Sequence, residues 1–169
     1  MPFFVWADPV DMLPGDLQFA DHTWVTSYRP VPACPPDEAN GEYWYCRGSC
    51  HTTPPANTGA RLLAEGEGDI EFARSIGTPH DPVDDVGLRY GVFGLCHQMA
   101  NRLTFFSQDA NGERLTTEEA KLYFLSKAVY GKYGGKGWTG RAIREQWRQK
   151  TDSWRQFREA KESFNDDAG

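Results

Sequence analysis

Apolar and polar positions along this chain follow two periods, and the change from one to the other locates the elements. From Leu17 to Tyr28 the period is two, which predicts a strand. His22, Trp24, Thr26 and Tyr28 share one face of it, while Thr23, Val25 and Ser27 share the other. A turn, Pro14-Gly15-Asp16, leads into this run. The next stretch carries eight prolines between positions 30 and 82. Only Glu42 to Arg47 and Arg61 to Ala64 read as regular elements there. The remainder reads as ordered loop, because Tyr43, Trp44 and Tyr45 supply too much apolar area for a mobile linker.

Beyond it, Leu88 to Phe93 predicts another strand, and Gly94-Leu95 a turn. Cys96, Met99, Ala100 and Leu103 then recur at helical spacing. Thr116 and Glu119 have capping-box spacing, which predicts a second helix from about Thr117 to Tyr130. Gly131, Gly134, Gly135 and Gly137 interrupt the chain. A final helix from about Gly140 to Phe164 places Ile143, Trp147, Trp154, Phe157, Ala160 and Phe164 on one stripe. Residues 139–164 hold seven basic against four acidic residues, so this helix is locally basic in an acidic chain. That pattern reads as a solvated face or a docking face for an acidic partner.

The expected architecture is α+β: a small antiparallel sheet packed on helices. At 169 residues the chain is expected to form a single domain, 1–169, with the C-terminal helices (about 117–164) packed on it. Hydrophobic residues make up 39% and aromatics 14%, too rich for a disordered chain. No apolar run approaches the ~18 residues of a membrane helix, which argues against integral membrane association. Eighteen basic against 24 acidic residues argue against a general nucleic-acid binder. The N-terminus, Met1-Pro2-Phe3-Phe4-Val5-Trp6, lacks the pattern of a cleavable signal. The expected location is the cytoplasm as made, or outside the cell by a route that reads no signal.

Four cysteines add chemistry: Cys34, Cys46, Cys50 and Cys96. The first three fall within 17 residues and allow a disulfide, free thiols or, with His51 or His80, a metal site. The spacing is not that of a zinc knuckle, so no metal and no organic cofactor are assigned. Cys96 stands apart, where a strand gives way to a helix. A helix N-terminus favours negative charge through its unpaired N–H groups and its dipole, and so favours a thiolate. The same N–H groups suit an oxyanion. A nucleophilic thiol also needs a base. His22, mid-strand among aromatics, ranks first. His97 follows the thiol on the same helix, where neighbours diverge by about 100°, and ranks below it.

Pro14-Gly15-Asp16-Leu17 followed by His22-Thr23-Trp24-Val25 resembles the opening of the permuted papain-like amidases and acyltransferases. That group includes the lecithin retinol acyltransferase family and relatives of the NlpC-type cell-wall peptidases. Their nucleophile opens a later helix, where this chain has Leu95-Cys96-His97-Gln98. The resemblance implies a papain-like fold in permuted His-before-Cys order, with Cys96 as nucleophile and His22 as base. Glu42 and His51 are candidates for a third catalytic residue, and Gln98 and Trp24 for oxyanion or substrate contacts. The implied activity is cysteine-dependent amide hydrolysis. Peptidoglycan peptide is the leading substrate class, and a secreted antibacterial effector with a cognate inhibitor (immunity) protein fits that substrate. A Cys–His deamidase, transglutaminase or acyltransferase toxin is the nearest alternative among enzymes. From another class, Trp24, Tyr28, Tyr43, Trp44 and Tyr45 would line the groove of a non-catalytic carbohydrate- or peptide-binding module.

Overall fold

The first ten residues form a strand that the sequence pattern does not announce. In the computed structural model, which describes residues 1–10, 20–29, 42–44, 60–76, 94–135 and 139–166, β1 runs over Pro2–Val10. Both of its faces are largely covered. Phe3, Val5 and Ala7 are fully buried on one side, and Trp6 and Asp8 nearly so on the other. A strand covered on both faces loses the alternation that marks a half-exposed one, and Pro2 and Pro9 further weaken the signal. β2 (Ala20–Thr26) lies antiparallel to β1, with Val25 opposite Val5 and His22 opposite Asp8. β3 (Tyr43–Trp44) and β4 (Arg61–Glu67) complete a four-stranded sheet in the order β3-β2-β1-β4, all pairs antiparallel. The expected strand at Leu88–Phe93 lies outside the described residues.

β4 continues into a short segment that binds the 107–115 loop. Glu67 and Gln108 exchange backbone hydrogen bonds of 2.9 and 2.8 Å. Gly66 permits that approach, since a Cβ there would stand 2.0 Å from the Gln108 carbonyl oxygen. Gly66→Ala therefore forces the two backbones apart. We expect a loss of about 1–3 kcal/mol in stability, read from the urea midpoint.

Asp69 then caps α1 (Ile70–Ile76), its Oδ1 accepting from the Phe72 amide at 3.0 Å. The sequence reading places no helix here, although the cap residue is present. α2 (Cys96–Leu103) starts where the period change predicts and packs on β2. Its apolar side joins Phe3, Val5, Val25 and Trp44 in the core through Met99, Ala100 and Leu103. The opposite side is not solvated, for all eight residues of α2 are buried. Its polar side chains are taken up by the 117–134 segment. Asn101 Oδ1 accepts from the Thr117 amide at 3.0 Å, and its Nδ2 donates to the Lys132 carbonyl at 3.0 Å. Arg102 donates to the carbonyls of Tyr133 and Gly134. Positive φ angles at Gly131 (74°) and Gly134 (72°) let this loop turn its carbonyls toward α2.

The second C-terminal element is shorter than expected. α3 covers Tyr123–Tyr130 only, because the segment before it is drawn onto β2. The Lys121 amide donates to Asp21 Oδ2 at 2.6 Å, and Leu122 takes a left-handed conformation (φ 63°) that no helix continues through. Thr116 thus caps a turn rather than the helix.

By contact pattern the chain divides into two compact units, Met1–Lys136 and Gly137–Gly169. The second is α4 (Gly140–Asp166), within two residues of its expected bounds. Thr139 opens it, its Oγ1 accepting from the Ala142 amide at 3.2 Å. Arg148 pairs with Glu145 along the surface of this helix. Of the expected stripe, Ile143 is buried and Trp147 half-buried. The side chains of Trp154, Phe157, Ala160 and Phe164 lie outside the description. Among the described residues, no helix is long and apolar enough to cross a membrane.

Candidate functional site

Strand parity decides what surrounds Cys96. β2 turns Asp21, Thr23 and Val25 toward α2, and His22, Trp24 and Thr26 to the other face. Two contacts fix this assignment. Val25 shares the core with Cys96 and Met99, while Trp6 Nε1 donates to Thr26 Oγ1 across the far face at 2.9 Å. The His22 ring accordingly packs against Trp24, tilted by 35° with centroids 5.5 Å apart, and His22 lies opposite Asp8 on β1. From β2, the carbonyl oxygen of Asp21 lies 3.9 Å from Cys96 Sγ. On this parity the His22 side chain leaves β2 on the face opposite the one that joins Cys96 in the core. Asp8 is a carboxylate neighbour of His22 that sequence reasoning missed, since no strand was read there.

Gln98 and Glu42 are also placed otherwise than expected. Gln98 is fully buried and its amide is committed. Its Oε1 accepts from the Leu95 amide at 2.9 Å, capping α2, and its Nε2 donates to Ser126 Oγ and the Gly131 carbonyl, each at 3.2 Å. It holds the first turn of α2 rather than offering a donor to substrate. Glu42 pairs with Arg74 of α1 at 2.5 Å. Trp24 is buried on the His22 face, and Trp44 is fully buried in the core, so neither is exposed to line an open groove. His51, Tyr45, Cys34, Cys46, Cys50 and His80 lie outside the described residues. Among those described, no cluster of His, Cys, Asp or Glu could hold a metal ion.

The local chemistry of Cys96 is a balance. The thiol is 4% exposed, and this burial pushes its pKa up. The Thr23 amide and hydroxyl, then the His97 and Cys96 amides, oppose that shift by favouring the thiolate. Thr23 Oγ1 is fully buried and makes no bond of normal length among the described residues, so it contributes as a nearby dipole. Burial dominates, and the resting group is the thiol. What the arrangement offers is a sulfur at the first residue of a helix, where the helix N-terminus favours negative charge.

Asp21 is the residue that organises this corner. Its side chain is fully buried. Arg61 of β4 clamps the carboxylate at 3.1 and 2.5 Å, and the Lys121 amide adds a third bond at 2.6 Å. Its carbonyl oxygen meets both Cys96 Sγ and, at 3.0 Å, His97 Nε2. Burial pushes the Asp21 carboxyl up, but the hydrogen bonds from Arg61 and Lys121 outweigh it and hold the pKa below the usual range. The stabilisation is therefore fully present above the unfolded value of ~3.9 and is lost as pH falls through the lower folded value. Asp21→Asn is expected to lose about 1–3 kcal/mol at pH 7. The difference from wild type should shrink in urea titrations repeated below about pH 4. A deficit independent of pH would mean that the charge is irrelevant. No protein-family model, curated protein or solved structure matches this chain, so the reading of the site stands on its own residues.

Proposed function

We propose that the protein is a cysteine-dependent amide hydrolase with Cys96 as its nucleophile. What supports this reading is the place of the sulfur, at the first residue of a buried helix, where the helix N-terminus favours negative charge on sulfur or on an oxyanion. Sulfur attacks the carbonyl carbon, the developing oxyanion takes N–H bonds at the helix N-terminus, and the amine leaves with a proton. Water then resolves the thioester. The resemblance of the His22 and Cys96 segments to permuted papain-like enzymes supports an amide rather than another acyl group. Peptide amides of peptidoglycan remain the leading substrate class, and an effector paired with an inhibitor protein is the setting that suits it.

Incubating purified protein with peptidoglycan sacculi and separating the products by mass tests the reading. Soluble muropeptides with a cut peptide bond are expected. Intact sacculi, together with no cleavage of a panel of peptide amides, would end the hydrolase proposal.

A further inference from the structure

Thr23 carries a hydroxyl with nothing to bond in the resting protein. The residue is fully buried, and its Oγ1 has no hydrogen-bond partner among the described residues. A buried hydroxyl left unbonded is costly, and such groups are rare in folded proteins. Valine has nearly the same shape, suits a strand as well, and would carry no such cost. The hydroxyl therefore calls for a partner that is absent at rest.

Strand parity points to the neighbour. Thr23 leaves β2 on the face that carries Val25, which shares the core with Cys96. Burial opposes charge on the Cys96 sulfur, while the amide and the hydroxyl of Thr23 both favour it. The sulfur sits at the first residue of α2, where the helix N-terminus also favours negative charge. An unbonded donor, a thiol and a helix N-terminus thus come together at one buried point.

The two protonation states of Cys96 use different partners. As a thiol, it turns its weak S–H donor to the Asp21 carbonyl oxygen, 3.9 Å away. A thiol sulfur is a poor acceptor, so the Thr23 hydroxyl gains little from it. A thiolate is a strong acceptor, and a hydrogen bond to it is charge-assisted. The other titratable groups at this corner are the Asp21 carboxylate, paired with Arg61 and near Lys121, and the His97 ring, with the Tyr123 phenol edge-on to it. Burial favours the neutral form of that ring, whose Nε2 meets the Asp21 carbonyl oxygen at 3.0 Å.

We infer that the Thr23 hydroxyl is the donor reserved for the Cys96 thiolate, idle at rest and bonded to sulfur once charge forms there. In a titration the thiol gives its proton to hydroxide, the S–H electron pair stays on sulfur, and the Thr23 O–H turns to meet it. A bond made only by the charged state stabilises that state without stabilising the resting one. This assignment deepens the reading of Cys96 as nucleophile and rests on it.

The test is a titration of Cys96 by the ultraviolet absorbance of its thiolate, which needs no access for a reagent. Wild type, Thr23→Val and Thr23→Ser are each measured against the same protein carrying Cys96→Ala, so that Cys34, Cys46 and Cys50 cancel. Urea unfolding of the same proteins reads stability. Thr23→Val should move the inflection upward by about one pH unit, which is about tenfold less thiolate at neutral pH. Its urea midpoint should be unchanged or higher, because valine removes an unbonded hydroxyl. Thr23→Ser keeps the hydroxyl and should return the inflection close to that of wild type. An inflection unmoved in Thr23→Val, or moved equally in Thr23→Ser, overturns the inference. So does a lowered midpoint or a loss of folding in Thr23→Val, since the hydroxyl would then be bonded at rest. A wild type that forms no Cys96 thiolate before it unfolds in alkali overturns it as well. The titration uses no substrate, so the two readings separate. The expected shift in a protein that cuts no amide would support the donor and end the hydrolase. Cleavage that needs Cys96 and is untouched by Thr23→Val would defeat the donor and leave the hydrolase intact.

Discussion

Cys96→Ala should reduce amide hydrolysis by about 10³-fold or more, with the circular dichroism spectrum unchanged. The alanine removes one small buried side chain whose hydrogen bond among the described residues is the weak contact to the Asp21 carbonyl. The fold loses little by it, while the nucleophile is gone. Cys96→Ser should be nearly as inactive. Its hydroxyl is far harder to ionise, and burial penalises the charged form further. Activity assays at matched folded concentration read both variants. Retained hydrolysis in either would remove Cys96 from the mechanism.

The second large effect is on stability. Arg102 is fully buried, and its guanidinium donates to the Tyr133 and Gly134 carbonyls. Arg102→Leu leaves those carbonyls without their donor and cuts the loop from α2, at an expected cost of about 3–5 kcal/mol. Arg102→Lys should recover only part of the loss, because a single ammonium does not reproduce the planar fork that spans two successive carbonyls. Urea unfolding measures both. A change within about 1 kcal/mol for Arg102→Leu would mean that the polar face of α2 does not hold the 131–134 loop.

That polar face also shows where sequence reasoning stopped. The apolar positions Met99, Ala100 and Leu103 were legible as a helix, and α4 was legible almost to its ends. The internal bonding of Gln98, Asn101 and Arg102 was not legible, because periodicity distinguishes apolar from polar and not solvated from internally bonded. The break before α3 was illegible for a related reason. Its cause is a contact between Lys121 and Asp21, a hundred residues apart in sequence. β1 was missed because both its faces are covered.

Strand parity limits what the sequence says of the candidate site. The pattern of β2 placed His22 and Asp21 on opposite faces but gave no means of knowing which face α2 would cover. Aromatic neighbours favoured His22, and the helix took the other side. His97 was discounted because adjacent helical residues diverge by about 100°. In the fold the thiol and the ring meet the same Asp21 carbonyl oxygen, Sγ at 3.9 Å and Nε2 at 3.0 Å.

The central claim is a covalent bond between Cys96 and the acyl group. Acid quenching during turnover of a peptide amide substrate, followed by intact mass and peptide mapping, measures it. The account predicts an acyl adduct on Cys96 that hydroxylamine removes, as a thioester requires, and no adduct in Cys96→Ala. Steady hydrolysis with no adduct at any quench time, continuing in Cys96→Ala, would contradict it.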